Sequence, residues 1–209
     1  MVGIMSTPPV VTRKGRGARE RITTAAATLF YRHGIHATGI EALIQEAQVS
    51  KRTFYQHFTS KNELVEHYLR GIDETGGSPM ERRLDIDGLA PRERLLAIFD
   101  TKTTARFRGC PFHNAVVESA GELSGAENIV RAHKQDFADR LTAVATAAGA
   151  NDPWLLAQQI LVLFEGATAL ATTLNDTAPM VHARAAAAQL IDTACSHTSV
   201  PETGTATTT

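Results

Sequence analysis

Cysteine is scarce in this chain. Cys110 and Cys195 are the only two among 209 residues, lie far apart, and match neither a disulfide framework nor a zinc site. Long apolar runs are missing too: no stretch of about 18 to 20 residues is free of polar interruption, as a membrane span requires. The N-terminus has Pro8, Pro9 and a basic cluster but no apolar segment of signal-peptide type. Nowhere do apolar and polar residues alternate with the period of two that marks a half-buried strand, and no segment repeats. Nucleophile-elbow, Walker and Rossmann motifs are absent, and the histidines do not cluster at metal-ligand spacing. Cys110 and His113, three residues apart, are too thin a basis for a catalytic pair. These absences leave an expected all-α protein, cytoplasmic, with reduced thiols, no catalytic residues, no metal, no cofactor and no membrane partner.

What is present is unevenly distributed. The net charge of −1 hides ten Lys or Arg and five Glu in residues 1–72, a local balance of +5, so the remainder carries −6. A basic front on an acidic body points to an anionic partner at the N-terminal end alone.

Periodicity predicts a helix ending at Gly34, with Ile22, Ala25, Ala26, Leu29 and Phe30 on one apolar stripe. Two short helices follow, from about Ile40 to Ala47 and from Lys51 to His57, with Ser50 as N-cap of the second. Ser60 with Glu63 three residues on forms a capping box that opens a fourth helix carrying Leu64, Val65, Tyr68, Leu69 and Ile72. Gly76, Gly77, Pro79 and Gly88 mark residues 73–90 as an irregular connection. Beyond it, helices are expected at about 91–107, 111–120, 125–149, 153–174 and 180–196. The domains read as a disordered basic arm at 1–16, a three-helix helix-turn-helix domain at 17–72, a helical body at 73–196 and a disordered tail at 197–209.

The helix from Lys51 to His57 crowds cations, hydroxyls and an amide onto one face, while Phe54 and Phe58, four apart, bury together on the other. Such a rod suits the major groove of DNA. Leu43, Ala47, Val49, Phe54 and Phe58 are the expected inward positions. Lys51 and Arg52 are placed to donate to guanine, and Gln56 shares their outer face. Thr53, Tyr55, His57 and Lys61 suit phosphate oxygens, as do backbone amides at Thr38 and Gly39. A packed ring for Tyr55, and no role for His57, stay open.

Residues 18–72 resemble the DNA-binding domain of the TetR family of bacterial transcriptional regulators, whose pattern is close to Thr-x-x-x-Ile-Ala-x-x-Ala-Gly-Val-Ser-x-x-Thr-Leu-Tyr-x-His-Phe-x-Ser-Lys-x-x-Leu. Thr38, Ala47, Val49, Ser50, Thr53, Tyr55, His57, Phe58, Ser60, Lys61 and Leu64 fall in register. Gln48 departs from it, standing where the family usually has Gly; a left-handed residue there would cost about 1 kcal/mol. Arg52 stands where a small residue is common.

In the body, residues 153–174 are apolar on nearly all sides, and 180–196 carry Ala183, Ala185, Ala186, Ala187, Ala188 and Ala194. A helix apolar all round must be covered on both faces, so these two read as half of a four-helix homodimer interface, with two internal core helices as the competing role. The resemblance assigns them the same part. The segment Arg108-Gly109-Cys110-Pro111-Phe112-His113-Asn114 resembles one near the ligand cavity in a branch of the family, which implies a small-molecule effector site lined by Phe107, Cys110, Phe112, His113, Asn114, Phe137, Trp154, Phe164 and Glu165, with Phe99 and His133 as further candidates. For each, ordinary core packing is the competing role.

The expected function is a ligand-responsive repressor, released by a small molecule from a pseudo-palindromic double-stranded DNA operator. The alternative is a thiol-based redox-sensing regulator in which Arg108 and His113 depress the pKa of Cys110. Ligand-independent activation and architectural binding also remain open.

Overall fold

A computed structural model of the chain describes residues 16–101, 107–119 and 124–196. The arm and the tail expected at the two ends lie outside these residues, except Arg16 at the arm's inner end. Among the described residues the regular elements are helical: α1 (Arg16–His33), α2 (Ile40–Ala47), α3 (Lys51–His57), α4 (Lys61–Asp73), a 3-10 turn (Glu81–Asp85), α5 (Pro91–Ala97), α6 (Pro111–Ser119), α7 (Ser124–Ala147), α8 (Pro153–Leu174) and α9 (Ala178–Ala194). The described residues form two compact units, one of 16–71 with 112–119 and 124–129, the other of 72–101 and 107–111 with 130–196.

In the first unit α1 packs on α2 and α3. Ile22, Ala25, Ala26, Phe30, Leu43, Ala47, Phe54, Phe58, Leu64, Val65 and Leu69 are buried there, and Val49 is half-buried. The caps explain why such short helices hold. Ser50 Oγ accepts from the Thr53 amide at 3.0 Å, and Ser60 Oγ from the Glu63 amide at 3.1 Å. Glu63 reaches back one residue further than the usual capping box, accepting from the amide and hydroxyl of Thr59. Those bonds hold its carboxyl below the ordinary range. Gln48 has φ +51° and ψ +50°, and its N–H closes the last turn of α2. The departure from glycine is therefore made at a left-handed position.

The second unit has an apolar core built on α8, with Phe164 edge-on to Phe99 and Phe137 at ring separations of 6.0 and 5.6 Å. Asp152 caps α8 by accepting from the Leu155 amide at 2.9 Å, ahead of Pro153. By length and mean hydropathy (1.4) α8 could cross a membrane, which the sequence reading did not allow for. Its Ile160, Phe164, Ala167 and Ala171 are nonetheless buried in the core, and Glu165 in its middle is ion-paired. α9 packs along it.

The helix expected over 91–107 stops at Ala97. Phe99 and Asp100 close it with tighter bonds to the carbonyls of Leu96 and Ala97, and the Asp100 carboxylate lies 3.2 Å from Arg184. In the stretch read as irregular, Ser78 and Glu81 form a reciprocal capping box that opens the 3-10 turn, with Pro79 between them.

Candidate functional site

The outer face of α3 carries Arg52, Tyr55 and Gln56, all exposed, at the three- and four-residue spacings that align side chains on a helix. Tyr55 is 44 % exposed, and its ring meets Phe54 edge-on at 5.4 Å. The ring is thus packed against Phe54 while the residue as a whole stays exposed. The Arg52 side chain has no hydrogen bond or ion pair among the described residues. Lys51 lies 3.4 Å from Glu41, and both side chains are well exposed; a pair this solvated is weak and can exchange for another anion. Thr53 is half-buried, and its hydroxyl shares a hydrogen bond with Ser50 at 2.8 Å. His57 is half-buried.

Two expected contacts change character. Thr38 is buried, its amide donates to Ile35 O at 3.3 Å, and its hydroxyl donates to Gly34 O at 2.6 Å. Its hydroxyl fastens the turn between α1 and α2 by satisfying a carbonyl left over at the end of α1, and its amide, given to Ile35 O, is not free. Gly39 is exposed as N-cap of α2. Lys61 is half-buried and donates to His36 O at 3.4 Å; burial lowers its pKa, and Glu118 opposes that. An ammonium has three donors, so this bond leaves two for a phosphate.

Sequence reading missed two arginines of α1. Arg21 Nε donates to Ala47 O at 3.0 Å, closing the open end of α2, and Arg19 stacks over the Phe58 ring at 4.7 Å. Arg21 thereby ties α1 to the end of α2, and Arg19 ties it to the C-cap of α3. Basic residues at the exposed edge of an amphipathic helix were the available signal.

The second unit holds a buried ionic cluster. His133, 1 % exposed, has Nδ1 at 2.8 Å from Asp73 and Nε2 at 3.2 Å from Glu81, which is 0 % exposed. Lys134 contacts Glu81 at 3.4 Å, Glu165 at 2.5 Å and Cys110 Sγ at 3.6 Å. Burial works against the charges of Glu81, His133 and Lys134, and their partners outweigh it. His133 and Lys134 pull Glu81 down to about 2, Glu81 and Asp73 hold His133 above its ordinary 6.5, and Cys110, Glu81 and Glu165 raise Lys134. The missed signal was Ser78-x-x-Glu81, a capping box in a stretch read as loop.

Of the expected effector-site residues, Phe107, Cys110, Phe137 and Phe164 are buried in the second unit, as are Phe99 and His133, and Glu165 is half-buried against Lys134. In the first unit Phe112 is buried and Asn114 half-buried. Trp154, 64 % exposed, and His113 face outward. The buried stripe of α8 runs through Leu156, Ile160, Phe164 and Ala167, and Trp154 is off it. Phe112 and Ala115 likewise turn His113 away from the buried side of α6.

A family model described as bacterial regulatory proteins, tetR family, matches residues 22–68. Over 103 residues the chain is 33 % identical to the HTH-type transcriptional repressor KstR2 of Rhodococcus jostii, covering 48 % of this chain and 50 % of that one. Over 76 residues it is 33 % identical to the regulator TcmR of Streptomyces glaucescens, covering 36 % and 34 %. The chain thus spans half or less of these two curated relatives. The match to a solved tetR-type transcriptional regulator from Streptomyces avermitilis is broader: 33 % identity, 86 % of this chain and 99 % of that one, with a TM-score of 0.71. A TetR-family regulator from Streptomyces coelicolor aligns at 25 % identity and a TM-score of 0.74 over 87 % and 97 %. With the motif, the helical architecture and a relative matched over nearly its whole length in agreement, the chain belongs to the TetR family of bacterial transcriptional regulators.

Proposed function

We propose that the protein is a homodimeric repressor that binds a pseudo-palindromic DNA operator through α3 and leaves it when a small molecule binds in the helical body. The observation that carries DNA binding is the outer face of α3. An arginine with no ion pair among the described residues, a tyrosine and an amide stand together on a helix whose other face, Phe54 and Phe58, is fully buried. Arg52 reads a base edge, with Lys51 released from Glu41 to assist, and Thr53, Tyr55, Gln56, His57, Gly39 and Lys61 serve register. The repressor role is drawn from the printed name of KstR2.

Pairing is supported by α8 and α9. Leu155, Val162, Leu170 and Leu174 are exposed along one side of α8, with Gly166 among them, and Val181 is exposed on α9. Apolar side chains in a row, with a glycine that admits close approach, suit the same surface of a second copy. The effector is held by the buried aromatics around Phe137 and Phe164, with Glu165 and Cys110 as polar groups. Selecting DNA from a random pool with the full-length chain tests this reading. The expected product is an inverted repeat with half-sites about one helical turn apart; enrichment of a lone half-site, or of nothing, would refute it.

Redox sensing by Cys110 is favoured by one contact, Lys134 Nζ at 3.6 Å. Against it, Glu81 and Glu165 already share that ammonium. Cys110→Ser is expected to leave operator release by oxidant unchanged; loss of that release with DNA binding intact would favour the thiol.

A further inference from the structure

The turn between α1 and α2 has both polar backbone groups of one residue held by charged side chains from elsewhere in the first unit. His36 N–H donates to Glu118 Oε2 at 3.0 Å, and His36 C=O accepts from Lys61 Nζ at 3.4 Å. Glu118 belongs to α6 and Lys61 to the first turn of α4. The carboxylate sits over Gly34, where a Cβ would stand 2.7 and 2.8 Å from its oxygens. Gly34 also has φ +92°, so two separate constraints exclude a side chain there. Exposed turns ordinarily leave such groups to water. Here a carboxylate and an ammonium bracket one residue and attract each other.

We propose that Glu118 is a positioning residue for DNA binding: by gripping the His36 amide and balancing Lys61, it holds the turn that fixes where the start of α2 and Lys61 meet a phosphate. The inference rests on the DNA-binding reading above. His36 stands three residues before Gly39, the N-cap of α2, and Lys61 holds its other side. A grip on this turn therefore acts on two expected phosphate contacts and on no base contact, so its loss should weaken binding evenly across operator sequences.

The test uses the full-length chain with an operator selected from a random pool, binding read by fluorescence anisotropy, and hydrogen exchange at the His36 amide without DNA. Glu118→Ala is expected to weaken operator binding roughly tenfold, keep the ranking of operator variants, and speed exchange at His36. Glu118→Gln keeps a carbonyl oxygen for that N–H and should recover binding to within about threefold of the original. If Glu118→Ala does not fold, Glu118→Asp, one methylene short, replaces it with the same expected loss. Faster exchange with unaltered affinity would make the contact merely structural and overturn the proposal. Unchanged exchange, a reordered operator ranking, or Gln as damaging as Ala would also overturn it. A parent chain without operator preference would instead sink the DNA-binding reading, and exchange at His36 would still report whether Glu118 holds the turn.

Discussion

In the helix-turn-helix unit the charged side chains lie outside an apolar core, and the buried polar residue among those described is Thr38; in the second unit a carboxylate, Glu81, and an imidazole, His133, lie inside, with Lys134 against them. The difference separates what each unit's charge is for. Charges at the rim of α3 cost little to keep and remain available to a partner. The charges of Glu81, His133 and Lys134 are stable there only because each has its counterpart, so they are committed to the fold of the second unit.

The contrast can be broken most directly at Glu81. Glu81→Ala leaves His133 and Lys134 short of a buried counter-charge, and is expected to cost about 3–5 kcal/mol in urea unfolding; a loss under about 1 kcal/mol would mean water already screens the cluster. The pH profile sharpens the same point. Glu81 is held at about 2 against an ordinary 4.5, so its contribution is complete above 4.5 and drains away as pH falls toward 2. His133 is raised above 6.5, so its contribution is complete below 6.5 and is lost as pH rises through the raised value. Thermal melts should show a maximum between these limits, and His133→Gln should flatten the alkaline side; an unaltered alkaline side would assign that loss elsewhere.

Next in size is Arg52→Ala, expected to lower discrimination at one operator position by about 1–3 kcal/mol while moving stability by no more than about 0.5 kcal/mol. Destabilisation comparable to that of Glu81→Ala would erase the division between the units. The smallest effect is expected at the α2–α3 turn, where Gln48→Gly should stabilise the fold by about 1 kcal/mol, because glycine carries no Cβ into the left-handed region. A lower melting temperature would show the Gln48 side chain to be making a compensating contact.

Legibility followed the range of the interactions. Ser50, Ser60 with Glu63, and Gln48 act within three or four residues of themselves, and each behaves in the fold as local chemistry requires. α8 was read to its limits because Asp152-Pro153 marks its start and its apolar length leaves no competing pattern. Thr38 reads in sequence as a free backbone amide for a phosphate, whereas the folded turn gives that amide to Ile35 O and the hydroxyl to Gly34 O. The effector-site residues were named by type, and the burial phases of α6 and α8 then turned His113 and Trp154 outward.

The sequence by itself determined where the short helices of the first unit begin and end, and that α3 presents cations on one side and phenylalanines on the other. Caps, spacing and periodicity are written in neighbouring residues. Only the tertiary structure decided that Glu81, His133, Lys134 and Glu165 form one cluster, and that Glu118 closes over Gly34 to hold His36. Partners 31 to 82 residues apart carry no local signature; each of these charges is affordable inside or against the protein because folding brings the opposite charge or the matching donor to it.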